Sequence, residues 1–118
     1  MALASATAAN AALDGIMALA THLSLHTASP GTDGSNENAN SGSYARQSIS
    51  WNSASSGSVT NSSAETFSTG GTVQVTHVGT WTSGTYGAGN YLIGAALSSG
   101  VTAASITVAA GAVTFTAA

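Results

Sequence analysis

Cysteine is absent from the 118-residue chain, so neither disulfides nor thiolate metal sites contribute to its stability. Charged residues are almost as scarce: they make up 4% of the sequence, and Arg46 is the only lysine or arginine. The formal net charge is −3. A chain with one cation cannot neutralise a row of phosphates or bind an anionic membrane by charge. We therefore expect neither nucleic acid nor a membrane among its partners.

Long apolar runs are also missing. The segment from Tyr91 to Leu97 is far shorter than the roughly 20 residues that a transmembrane helix requires. The alanine-rich start carries no lysine or arginine before its apolar part, and Asp14 interrupts it. We interpret this start as mature protein rather than as a signal peptide.

The first twenty residues have the spacing of an amphipathic helix. The apolar residues at positions i, i+3, i+4 and i+7 are Leu13, Ile16, Met17 and Ala20. Ser5 or Thr7 can serve as the N-cap of this helix. Gly15 in its interior costs about 1 kcal/mol relative to alanine. The spacing predicts one helix within residues 4–20.

After Thr21 the apolar period changes to two, which is typical of half-buried strands. Predicted strands cover residues 22–26, 45–51, 64–68, 72–82, 91–97, 106–108 and 113–115. Gly70 and Gly71 are predicted to form a turn. The strand at 72–82 should be central in its sheet, because it carries apolar residues on both faces. The last two strands should form a hairpin. The sequence predicts a mainly β protein, an antiparallel β-sandwich or barrel-like fold of six to seven short strands with one N-terminal α-helix. We expect a single domain, 1–118, with a helical segment at 1–20 and the sandwich at 21–118.

Motifs for catalysis are missing from the sequence. It contains no phosphate-binding loop, no H-E-x-x-H and no G-x-S-x-G. His22 and His26 are four residues apart, which on a strand separates them by roughly 13 Å, too far to share a metal ion. We interpret them, and His77, as hydrogen-bonded structural histidines. We therefore predict no enzyme activity, no catalytic residue, no metal site and no cofactor.

A long polar loop, Pro30 to Ser43, contains the only proline of the chain. Its side chains with oxygen ligands are Asp33, Asn36, Glu37, Asn38 and Asn40. Calcium could use such ligands, but their order departs from that of an EF-hand loop, and a solvated loop is favoured. We predict surface or partner contacts at Asp33, Asn36, Glu37 and Asn38, and at Tyr86 in the Gly-rich connection 83–90.

Arg46 is the candidate for a structural role. As the sole cation it can hold Asp33, Glu37 or a row of loop carbonyls through its guanidinium group. The alternative is an exposed arginine that contributes little to stability.

Several aromatic residues raise the possibility of carbohydrate binding, because sugars stack on flat rings beside amides and hydroxyls. Trp51 and Trp81 lie on apolar faces of predicted strands, which favours core packing for both. Tyr86 is the better candidate for an exposed ring. A carbohydrate-binding module, receptor-binding or lectin-like, is therefore the alternative function.

Four segments of the chain, in order SLHTASPGTDGSNE, GSYARQSISW, VTHVGTW and YLIGAAL, resemble a family of small virion proteins of tailed double-stranded DNA bacteriophages. Members of this family are labelled tail fibre or minor tail proteins. The resemblance extends from the N-terminal helix to the last predicted hairpin. The chain departs from the family at Ser29, where an acid is usual, and in the apolar ending AAGAVTF.

The resemblance implies a non-enzymatic structural protein on the surface of a phage particle. Its position is left open between a tail fibre or minor tail protein and a capsid (head) decoration protein. The implied partners are other virion proteins, either major capsid or tail proteins, and further copies of the chain in a homotrimer. A host surface glycan is a further candidate partner.

Overall fold

The computed structural model describes residues 5–38 and 43–117. Residues 1–4 of the predicted helical segment, and Asn40 of the predicted loop, lie outside the described residues. The elements in chain order are α1 (Ala6–Leu19), β1 (His22–His26), β2 (Gln47–Ser48), β3 (Ser58–Thr60), β4 (Glu65–Trp81), β5 (Tyr91–Val108) and β6 (Thr114–Thr116). The prediction of a mainly β protein with one N-terminal helix is confirmed.

The described strands form two antiparallel sheets that enclose one apolar core. The larger sheet has the order β2-β1-β4-β5, and the smaller one pairs β3 with β6. This sandwich-like arrangement agrees with the predicted fold class. The strand predicted to be central lies within β4, between β1 and β5. Val78 of β4, which pairs with Leu25 of β1 on one side and with Ala95 of β5 on the other, is 0% exposed.

Helix α1 begins where Ser5 caps it: the Ser5 hydroxyl accepts a hydrogen bond from the Ala8 N–H at 3.2 Å. Of the two candidate caps, Ser5 is therefore the one used. Leu13 and Met17 are buried in the core, while Gly15 lies on the exposed side. The described residues contain no helix with the length and apolar character needed to cross a membrane.

Two of the six strands in the described residues are much longer than predicted. Segments 64–68 and 72–82 are joined in the 17-residue β4, and segments 91–97 and 106–108 are joined in the 18-residue β5. Gly70 and Gly71 therefore do not form a turn. Ser68 pairs with Ser105 and Val73 with Ala103, so four residues of β4 lie opposite one of β5. The positive φ of Gly70 accommodates this irregularity within a continuous strand.

Two buried threonines satisfy backbone groups at irregularities of the β4–β5 pairing. The Thr69 hydroxyl donates to the Ala103 carbonyl at 2.9 Å. The Thr80 hydroxyl donates to the Ile93 carbonyl at 2.8 Å and accepts from the Ile93 N–H at 3.2 Å. Because unpaired buried backbone groups are costly, these side chains let the two strands continue through the irregularities.

The predicted hairpin of 106–108 with 113–115 is wrong. Val108 pairs with Glu65, whereas Phe115 pairs with Val59 of the other sheet. The buried side chain of Asn61 donates to the Ala109 carbonyl at 2.9 Å and accepts from the Val113 N–H at 3.0 Å. These bonds hold the segment after β5 next to β3. The alternation of apolar and polar residues at 113–115 predicts a strand, but it does not indicate which strand it pairs with.

Replacement of Gly15 by alanine should stabilise the protein by about 1 kcal/mol, because glycine is unfavourable inside a helix. A Cβ atom at this position meets nothing within 4 Å. Gly94→Ala is the matched control and should destabilise, since its Cβ would lie 2.6 Å from Pro30 Cγ and 2.9 Å from the Val78 carbonyl oxygen. Urea unfolding followed by circular dichroism measures both, and a lower midpoint for Gly15→Ala would contradict the helix assignment.

Candidate functional site

Arg46 is the centre of a buried polar cluster. Its Nε and Nη2 atoms donate to the two carboxylate oxygens of Glu37 at 2.9 and 2.8 Å. Its guanidinium carbon lies 3.8 Å from the centroid of the Trp81 ring. Its Nη1 atom donates to the carbonyls of Ser83, Thr85 and Ala88 at 3.0, 3.0 and 2.9 Å. Arg46 is 5% exposed, so its guanidinium group makes these contacts in a largely buried setting.

Tyr44 completes the cluster on the Glu37 side. Its hydroxyl donates to Glu37 Oε2 at 2.8 Å and accepts from the Leu25 N–H at 3.1 Å. Burial, together with the neighbouring Glu37 carboxylate, raises the pKa of Tyr44 far above its usual range. Tyr44 is therefore a permanent hydrogen-bond donor to Glu37. We call the group of Glu37, Tyr44, Arg46 and Trp81 the Arg46 cluster.

The Arg46 cluster joins the connection between β1 and β2 to the connection between β4 and β5, which is distant from it in sequence. Glu37 comes from the loop after β1, Arg46 precedes β2, and the three carbonyls belong to the connection between β4 and β5. Of the three partners considered for Arg46 from sequence, the structure brings two to it, Glu37 and a row of loop carbonyls. Asp33 is not among its partners: the Asp33 carboxylate accepts from the N–H and the hydroxyl of Ser35. These bonds lower the pKa of Asp33.

The residues predicted as surface contacts divide into two groups. Asp33 and Asn36 are exposed, and Tyr86 is 40% exposed with its ring edge-on to Tyr44. Glu37 and Asn38 instead point inward, so the prediction of surface contacts is wrong for these two. The reason is that the loop folds back on β1, where the Asn38 N–H donates to the Leu25 carbonyl at 2.7 Å. The Asn38 side chain is 2% exposed and donates to the Thr69 carbonyl.

The Glu37 carboxylate, one of the predicted oxygen ligands of this loop, already makes an ion pair and hydrogen bonds within the protein. Both carboxylate oxygens of Glu37 are bonded to Arg46, and Oε2 also to Tyr44. Within residues 5–38 and 43–117, no three histidine, aspartate or glutamate side chains are close enough to hold a metal ion. Asn40, the remaining predicted ligand, lies outside these ranges.

A second buried network lies next to the Arg46 cluster. Nδ1 of His26 is 2.8 Å from the Ser35 carbonyl, which can only accept, so Nδ1 carries the proton. Nε2 therefore accepts from the Ser24 hydroxyl at 2.7 Å, and the Ser24 oxygen accepts from Trp81 Nε1–H at 2.8 Å. A serine bonded to a histidine is the usual arrangement of a nucleophile and its base. Here both side chains are 0% exposed, so they position Trp81 rather than contact a substrate.

Two open grooves place an aromatic ring beside polar groups. One, of about 360 Å³, lies between loop residues 29–32 and the start of β5, with Tyr91 on its wall. The other, of about 440 Å³, lies between α1 and Trp51 and includes Asp14 and Asn52. Rings beside hydroxyls, amides and carboxylates are the groups that bind sugars.

The Arg46→Ala variant should lose about 3–5 kcal/mol of unfolding free energy, because Glu37 stays buried without its counter-ion. Three loop carbonyls also lose their donor. The guanidinium leaves the Trp81 face, so tryptophan emission should shift as well. Thermal melting measures the effect, with Glu37→Gln as a milder variant and Asp33→Asn, an exposed acid, as the matched control. An unchanged melting temperature for Arg46→Ala would rule out the structural role of Arg46.

The stability of the protein should fall as the pH drops below about 6.5. Burial lowers the pKa of His26, and the charges of Arg46 and His77 also lower it. The hydrogen bond to the Ser35 carbonyl and the Glu37 carboxylate raise it, but by less than the burial lowers it. The unfolded chain therefore takes up the proton first, and stability is lost as the pH falls toward the folded-state pKa. Urea midpoints between pH 5 and 8 measure this. The His26→Gln variant should be less stable overall but show a flatter profile, and an equally steep profile would exclude His26 as the cause.

One family model matches the chain over residues 3–116, and its description is podophage GP4 fiber I protein gp80. A search of curated proteins found no match. The family match covers nearly the whole chain, including the helix, both sheets and the Arg46 cluster. The resemblance to small tail-fibre proteins of tailed phages is thereby confirmed. The chain belongs to the family of the podophage GP4 fiber I protein gp80.

Proposed function

We propose that this protein is a non-enzymatic structural component of the tail fibre of a tailed phage. The observation that carries the proposal is the family match over residues 3–116. The fold is compatible with such a role, since the β4–β5 hairpin gives the molecule an elongated shape of 44 × 25 × 21 Å. The partners are other virion proteins and further copies of the chain.

The Arg46 cluster supports a display role. It fixes the loop after β1 and the connection 82–90 to one buried guanidinium, so both loops have a defined shape on the protein surface. Rigid loops on a β scaffold are well suited to contact other proteins, because little conformational entropy is lost on association. Asp33, Asn36 and Tyr86 are the exposed residues through which these loops would make contacts.

A non-catalytic role is also consistent with the Ser24–His26 pair. This is the pair in the described residues that most resembles a catalytic one, and both members are inaccessible to substrate. The serine hydroxyl is used as an acceptor for the Trp81 indole. The chemistry of the pair is therefore structural.

Carbohydrate binding is the second candidate function. It is supported by the exposed Tyr86 ring and by the two grooves that hold Tyr91 and Trp51 beside polar groups. A fibre protein that binds a host surface glycan would combine both functions. The glycan contact and the homotrimer expected from the resemblance stay predictions.

The copy number of the chain in purified virions should be a few per particle. Quantitative mass spectrometry, with the major capsid protein as internal reference, measures it. A number comparable to that of the capsid lattice would contradict the tail fibre and indicate head decoration. Absence from the particle would contradict the virion function as a whole.

A further inference from the structure

The groove between α1 and Trp51 has the composition of a sugar site. Its volume of about 440 Å³ lies within the range of roughly 300–1,000 Å³ that is usual for sites of small ligands. Its apolar lining consists of the half-buried Trp51 ring together with Met17 and Ile49, which are 7% and 8% exposed. Asp14 and Asn52 are among its polar lining residues. The groove therefore places a flat ring beside a carboxylate and an amide, in a space large enough for a pyranose ring.

The Trp51 ring is held in place before any ligand arrives. Its Nε1–H donates to the Ala20 carbonyl at 2.9 Å, and the ring packs against Phe115 with 5.6 Å between the two ring centroids. A ring that is already fixed loses little conformational entropy when a ligand packs against it. Trp81, the other tryptophan of the chain, is 8% exposed and belongs to the Arg46 cluster. Trp51 is therefore the tryptophan that a ligand can reach.

The two polar side chains of the groove are also fixed, and each has an atom left for a ligand. Asp14 Oδ1 accepts from the Ala54 N–H at 2.8 Å, and Asn52 Nδ2 donates to the Thr60 hydroxyl at 3.0 Å. Asp14 Oδ2 and Asn52 Oδ1 have no hydrogen-bond partner among the residues that the structure describes. Both atoms are acceptors, so sugar hydroxyls can donate to them. The bond to the carboxylate is the stronger one, because its acceptor is charged.

The charge of the groove selects among sugars. Asp14 brings a negative charge, and no lysine, arginine or histidine is among the described lining residues. The only lysine or arginine of the chain, Arg46, is paired with Glu37 in the Arg46 cluster. A sugar acid would place its carboxylate beside Asp14 without a cation to pair with it, which is unfavourable. Uncharged sugars do not meet this repulsion.

We propose that the groove between α1 and Trp51 binds a neutral pyranose of a host surface glycan, with the sugar ring against Trp51 and sugar hydroxyls donating to Asp14 and Asn52. This inference rests on carbohydrate binding as the second candidate function, and it adds the site and the class of sugar. The groove beside Tyr91 is the other candidate site, but no aspartate or glutamate is among its described lining residues. It therefore lacks the charged acceptor that Asp14 supplies.

Nuclear magnetic resonance of the isotope-labelled chain tests the site directly. The chain has two tryptophans and hence two indole N–H signals, which the Trp51→Phe variant assigns. The probes are the methyl glycosides of glucose, galactose, mannose and N-acetylglucosamine, with galacturonic acid as the anionic counterpart of galactose. At least one neutral glycoside should shift the Trp51 signal saturably at millimolar concentration and leave the Trp81 signal in place. Galacturonic acid should not shift the Trp51 signal.

The Asp14→Asn variant should raise the dissociation constant of the bound glycoside about tenfold, because a charged acceptor is replaced by a neutral one. Asp14 is exposed, and the asparagine oxygen can still accept from the Ala54 N–H, so folding should be unaffected. Circular dichroism checks this. The matched control is Asp33→Asn, the same substitution at an exposed acid outside the groove, which should bind like the unmodified chain.

The absence of a saturable Trp51 shift with every neutral glycoside would overturn the proposal, as would binding that Asp14→Asn leaves unchanged. Shifts of the Tyr91 or Tyr86 signals without a shift at Trp51 would overturn it as well, because the sugar would then bind elsewhere. Tighter binding of galacturonic acid than of methyl galactoside would contradict the neutral class. Each of these results would leave the fibre function standing, because the copy number in virions tests that function separately.

Discussion

The bidentate ion pair between Arg46 and Glu37 is the interaction on which the arrangement of the loops depends. A buried pair contributes to stability when its remaining donors are also satisfied, because both ions lose their hydration. Here the third nitrogen of the guanidinium meets three carbonyls, its face covers Trp81, and Tyr44 donates to the carboxylate. The chain of hydrogen bonds from His26 through Ser24 holds the Trp81 indole by its N–H, at the edge of the ring. The two networks therefore form one continuous polar core beside the apolar one.

The scarcity of charge explains much of the rest of the design. A chain with five charged residues has to satisfy its buried backbone with neutral groups. Threonine and asparagine side chains supply these groups. Thr69 and Thr80 donate hydrogen bonds to backbone carbonyls at the irregularities of the β4–β5 hairpin, and Asn61 donates to a carbonyl of the segment after β5. Membership of a fibre protein family is in keeping with this chemistry.

Some site features could be predicted from sequence and others could not. Arg46 stood out because a sole cation in a β-rich chain has to find acceptors or remain in water. Its choice of Glu37 over Asp33 depends on how the loop folds back on β1, which no local pattern encodes. The inward positions of Glu37 and Asn38, and the roles of Tyr44 and Ser24, were missed for the same reason. These residues are ordinary in sequence and become a cluster when β1, β2 and β4 lie side by side.

The sequence by itself determined the fold class, the position of the helix and the central place of the strand at 72–82. Each of these follows from apolar periodicity and capping, which are local and can be read along the chain. The tertiary structure decided the lengths of β4 and β5, the pairing of β6 with β3 rather than with its neighbour, and the partners of Arg46 and His26. Strand pairing and buried hydrogen bonds join residues that are far apart in sequence: Ser24 bonds to Trp81, 57 positions away, and Ser58 pairs with Thr116, 58 positions away. Such contacts are selected by packing and by the need to satisfy buried polar groups, and these constraints exist only in the folded chain.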